Sequence, residues 1–157
     1  MNDFRSIRDC AQHLIAVKSN ITSDEFLTYC NWSILNMVPS TAREMMSWCE
    51  HPDEFCVNAD DAFFKYGFND IRNGSDIGRL IIDQLHMVRD EDYTEQFSHI
   101  ENDGETYVRF HYSLTLDAFR RCLRRSGDPA VRFNADCLAR IECCHQWYQE
   151  IEFARLC

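Results

Sequence analysis

Within six residues the chain carries Arg120, Arg121, Arg124 and Arg125. A guanidinium is planar, stays charged and can place two N–H donors on two oxygens of one phosphate or carboxylate. At 100° per residue, Phe119, Cys122, Leu123 and Ser126 share one side of a helix, and the four arginines fill the arc opposite. Such an arc can grip a nucleic-acid backbone, which makes these four the DNA- or phosphate-binding candidates. The same arc has a plainer use. Basic side chains favour helix C-termini and pair with carboxylates, which this chain has in excess.

Soft metal ligands are plentiful but poorly spaced. Cys49-x-His51-x4-Cys56 is one grouping, and Cys137 with Cys143, Cys144 and His145 is another. Structural zinc wants four ligands, usually as two close pairs, and neither grouping supplies them. Adjacent Cys143 and Cys144 would leave a helix in different directions. Helical cysteines at core spacing read instead as small buried side chains. No metal and no cofactor is therefore expected, and Asp90-Glu91-Asp92 reads as a solvated turn. The chain has no G-x-S-x-G elbow, no H-E-x-x-H helix, no P-loop and no G-x-G-x-x-G turn. Its six histidines are scattered, so any Cys–His pair would have to be assembled by the fold. The expectation is a protein that is not an enzyme and works by binding.

Tyr107, Phe110 and Tyr112 offer rings on which bases can stack. Alternation also puts Phe110 and Tyr112 on one face with Val108, where core packing accounts for them. Near the C-terminus, Trp147, Tyr148, Ile151, Phe153 and Leu156 exceed what one buried helical stripe needs. They are the partner-interface candidates, for another protein or for a homodimer through this helix.

The elements that hold these residues follow from caps and periodicity. Asp3 caps a helix with Phe4, Ile7, Ala11, Leu14 and Ile15 at helical spacing. Thr22-Ser23-Asp24-Glu25 is a capping box ahead of Phe26, Leu27, Cys30, Ile34 and Met37. Pro39 is expected to close that helix. Thr41-x-x-Glu44 opens the next, through Met45, Met46, Trp48 and Cys49, and His51-Pro52 ends it. Phe55-Cys56-Val57 suggests a short strand, and Asn58 caps a brief helix that Gly67 terminates. Ser75 is expected to cap a helix carrying Ile77, Leu80, Ile81, Gln84 and Leu85. Two β-leaning runs, Tyr93 to Ile100 and Glu105 to Tyr112, flank Asn102-Asp103-Gly104, a hairpin signal. Thr115 caps a helix to about Arg125. A long last helix runs from about Ala130 to Arg155, with Leu138, Ile141, Cys144, Tyr148 and Ile151 on one stripe. The expected fold is α+β and predominantly helical. N-terminal helices occupy 1–54, and a helix-flanked β-hairpin with a long C-terminal helix occupies 55–157.

A chain of 157 residues suits one compact domain or a domain with a helical extension. With 26 acidic and 16 basic side chains its net charge is −10, which argues against coating nucleic acid or an anionic membrane through the overall field. That charge is uneven. Residues 1–70 hold a net of −6, residues 71–111 a net of −5, and residues 112–157 a net of +1. No apolar run approaches the roughly 18 residues of a membrane span. Charges throughout the first nine residues speak against a secretory signal. Nine irregularly spaced cysteines then read as reduced thiols in an intracellular protein.

Four pieces of the second half, in order, carry a likeness. They are the aromatic-Gly step Phe64-Lys65-Tyr66-Gly67-Phe68, and the amphipathic stretch Ile77 to Leu85 leading to Asp90-Glu91-Asp92-Tyr93. The hairpin running into Tyr112-Ser113-Leu114-Thr115-Leu116-Asp117-Ala118-Phe119 follows, and then the closing Tyr148-Gln149-Glu150-Ile151-Glu152. In this order the stretch from about Phe55 to Glu152 resembles the N-terminal domains of phage antirepressors and of large-DNA-virus regulators, the Bro, KilA and AntA-like group. The resemblance implies a non-enzymatic, virus-encoded regulator acting on transcription or on nuclear and DNA-associated proteins, in host cytoplasm or nucleus. It supplies no catalytic residues. Domains of that group usually precede a different C-terminal domain, whereas this chain, stopping at Cys157, is expected to act alone. Direct DNA binding through the arginine arc and a host-protein adaptor without nucleic-acid contact are the alternatives, with a metal-dependent enzyme as a remote third.

Overall fold

The computed structural model describes residues 3–17 and 20–156, with side chains from Ser6 to Ala16 and from Asn20 to Ala154. The side chains of Asp3 and Phe4 lie outside the described residues. The fold is α+β and predominantly helical, with a small three-stranded antiparallel sheet. It divides into two compact units, residues 1–50 with 136–157 and residues 51–135.

The first unit is a helical bundle of α1 (Asp3–Val17), α2 (Ser23–Cys30), α3 (Pro39–Glu50) and the greater part of α7 (Pro129–Leu156). Thr22 caps α2 by accepting a hydrogen bond from Glu25 N–H at 3.1 Å. A π-helical stretch, Asn31–Leu35, prolongs α2 and ends at Asn36, whose left-handed backbone turns the chain. This corrects the expected role of Pro39. It opens α3 instead of closing α2, because its fixed φ and missing N–H suit a first helical turn. Ile7, Phe26, Met45, Leu138 and Ile141 are fully buried here. Cys10, Cys30 and Cys144 are buried as well, and Tyr148 donates its hydroxyl to the Ile21 carbonyl at 3.3 Å.

The second unit holds β1 (Val57–Asn58), α4 (Ala59–Lys65), α5 (Gly74–Gly78), β2 (Tyr93–Asn102), β3 (Glu105–Leu114) and α6 (Leu116–Arg125). Asn58 and Thr115 cap α4 and α6 as their positions foretell. The cap of α5 is Asn73, which accepts from Asp76 N–H at 3.0 Å, and not Ser75. A π-helical run, Arg79–Gln84, continues α5, buries Leu80 and Ile81 and leaves Gln84 exposed. The core joins Val57, Ile77, Ile81, Leu114 and Leu123 to an aromatic cluster in which Phe63 meets Phe68 and Phe119 edge-on.

The sheet order is β1-β3-β2. Asn102 pairs with Glu105 across a two-residue loop, Asp103-Gly104, and both loop residues have positive φ (52° and 79°). That pair of left-handed residues matches the twist of the strands. Gly74 lets the start of α5 press against β3. A Cβ there would run into the carbonyl of Phe110.

Candidate functional site on the hairpin

Only the base of the hairpin is packed. Tyr93, Tyr112 and Leu114 are buried, with Tyr93 and Tyr112 in an edge-to-face contact. Burial, followed by the charge and hydrogen bond of Glu95, pushes the Tyr112 phenol up to about 12. Further out, nearly every side chain meets solvent, and this arm keeps Phe97 at 63% exposure, Tyr107 at 50% and Val108 at 49%. Core packing thus accounts for Tyr112 but not for Tyr107 or for the half-exposed Phe110.

The register sorts the arm into two faces. Phe97 opposes Phe110 and His99 opposes Val108, so apolar rings continue outward from the buried base on one face. On the other face Gln96 opposes His111, Ser98 opposes Arg109 and Ile100 opposes Tyr107. Ser98 and His111 are therefore diagonal neighbours. Ser98 Oγ lies 3.2 Å from His111 Nε2, and His111 Nδ1 lies 2.8 Å from Asp60 Oδ2 on α4. An open cleft of about 600 Å³ borders this arrangement and has Asp60 and Arg109 among its lining residues.

The four arginines do not act as one set. Arg120 contacts Asp117 at 3.2 Å, and Arg121 binds Asp92 at 2.7 Å with Asp117 at 3.7 Å. Arg124 and Arg125 are exposed and make no ion pair among the described residues. Asp92 also accepts the Val88 N–H at 2.8 Å, which makes it a structural tie and not simply part of a solvated turn. In α7, Ile151 is buried and Tyr148 is anchored to Ile21 and Glu152. Trp147 donates to Cys143 Sγ at 3.2 Å, with the Arg8 guanidinium 5.2 Å over its ring. Phe153 is 70% exposed, and the side chain of Leu156 lies outside the described residues.

Among the described residues no group of three or more His, Cys, Asp or Glu is placed to hold a metal ion. Burial, aided by Cys30, pushes the Cys10 thiol up to about 11, and burial takes Cys122 to about 12. The hydrogen bond to Cys144 and burial together push Cys30 far up. Such thiols stay protonated and are poor nucleophiles. No helix among the described residues is long and apolar enough to cross a membrane.

Comparison with known proteins finds no match for the chain among family models, curated proteins or solved structures. Ser98, Arg109, His111 and Asp60 had no motif to mark them. The proximity of Ser98 to His111 was nevertheless countable from the turn, since pairing outward from Asn102–Glu105 brings Ser98 opposite Arg109. Asp60, 51 residues away, carries no such signal.

Proposed function

We propose that the chain is a regulatory protein-binding module of the kind its resemblance to antirepressor-like viral domains implies, and that it takes its partner on the hairpin arm. The observation that carries this reading is the exposed apolar face of Phe97, Val108 and Phe110 on a strand pair of which β2 is an open edge. Unpaired backbone along an edge accepts an extended segment as an added strand, while side chains such as these set specificity. The arm carries Glu95, Glu101, Asp103 and Glu105 against Arg109, so the fitting partner segment is basic and apolar. Basic segments of this kind are common in nucleic-acid-binding proteins, which agrees with a regulator of DNA-associated factors.

The test is affinity capture from host-cell lysate treated with nuclease, comparing the native chain with Phe97→Ser/Val108→Ser and Arg124→Glu/Arg125→Glu. A protein retained through nuclease treatment by the native chain, lost with the arm variant and kept by the arginine variant supports the reading. Loss with nuclease or with the arginine variant moves the contact to DNA, the second reading favoured by the two unpaired arginines. A gel shift that fades steeply with salt would then accompany it.

A further inference from the structure

The geometry points to a hydrolytic site on the opposite face of the arm: Asp60, His111 and Ser98 form a relay that cleaves small carboxylic esters bearing a negative charge. The activity goes beyond the binding role, and it uses side chains that role leaves free. An ionised carboxylate can only accept, so Asp60 takes the proton-bearing Nδ1–H of His111 at 2.8 Å. In the neutral ring Nε2 then carries a lone pair, and the Ser98 hydroxyl donates to it across 3.2 Å. Nucleophile, base and orienting carboxylate stand in the order that activates a serine. Arg109, the cross-strand partner of Ser98, is exposed and has no ion-pair partner among the described residues. A guanidinium on that side of the arm can receive a substrate carboxylate. The neighbouring cleft of about 600 Å³ is lined by Asp60 and Arg109 with Arg72, Phe64 and Phe68, and not by Ser98 or His111, so it has room for the charged part of a small molecule held on Arg109.

The reaction balances with water alone. Ser98 Oγ bonds to the ester carbonyl carbon as its proton passes to His111 Nε2. The carbon–alkoxy bond then breaks, the C=O re-forms, and His111 returns that proton to the departing alcohol. Water attacks the acyl-serine, gives a proton to His111, and the freed Ser98 oxygen takes it back with release of the carboxylic acid. No oxidant or metal takes part.

The experiment uses the full chain with mono-p-nitrophenyl succinate, neutral p-nitrophenyl acetate and a fluorophosphonate that marks activated serines. The expected results are p-nitrophenolate release above background, a fluorophosphonate adduct on the Ser98 peptide by mass spectrometry, and preference for the succinate. Ser98→Ala and His111→Gln should each lower the catalysed rate at least about tenfold, with unchanged circular dichroism. Arg109→Ala should reduce the preference for succinate over acetate. Absence of release, release that persists in Ser98→Ala, or an adduct on any other residue alone overturns the assignment. The adduct on the native chain decides the matter even where a variant fails to fold.

Discussion

Asp92 shows how much one side chain can settle. Its two oxygens serve different masters, the Val88 amide at 2.8 Å and the Arg121 guanidinium at 2.7 Å, and so it fixes both the entry to β2 and one face of α6. With Arg120 held by Asp117, half of the arginine arc is consumed in ion pairs. Both uses of that arc could be read from the sequence, but the division of labour within it could not, because Arg121 finds its partner 29 positions upstream. Gly74 is equally specific. Gly74→Ala would drive a methyl group into the Phe110 carbonyl and should cost about 1–3 kcal/mol in urea unfolding. Gly127→Ala, with nothing within 4 Å of the added carbon, should shift stability by less than about 1 kcal/mol.

Among the elements, caps and turn residues were legible wherever the signal was local. Thr22, Asn58, Thr115 and Asp103-Gly104 stand where their chemistry requires. Pro39 and Ser75 misled for a common reason. Each lies two or three residues past an asparagine that marks a helix boundary, Asn36 by its left-handed backbone and Asn73 by its side-chain cap. The two π-helical stretches were out of reach, since an extra residue per turn follows tertiary packing and not a local preference. In α7 the buried stripe was readable from its spacing, whereas the surplus apolar residues divided between packing and solvent. Ile141→Ala should therefore destabilise the bundle by about 2–5 kcal/mol, as fully buried aliphatics do. Phe153→Ala should change unfolding stability by no more than about 0.5 kcal/mol. Chemical denaturation of the two variants side by side measures this contrast.

For the molecule as a whole, the charge of −10 and the helical content were open to reading from composition and pattern, while the relay on the arm was not, since a strand register and α4 had to meet to create it. Acid should weaken the bundle through His145. Burial holds its pKa below the ordinary histidine value, with Glu50 opposing, so the unfolded chain binds the proton more tightly than the folded one. Stability is then full above about pH 6.5 and declines as pH falls through the folded value, and His145→Gln should flatten the drop in melting temperature over that range. The open strand edge also bears on self-association. Beyond Tyr93, which is bridged to Arg89, the edge of β2 bearing Phe97 and Ile100 is a template for the same edge on another copy, and Glu95 and Glu101 act as gatekeepers whose mutual repulsion keeps copies apart. With both carboxylates neutralised in Glu95→Gln/Glu101→Gln, light scattering should rise, and adding Phe97→Lys should suppress it. Part of the chain's acidity is in this sense what keeps an exposed arm from polymerising.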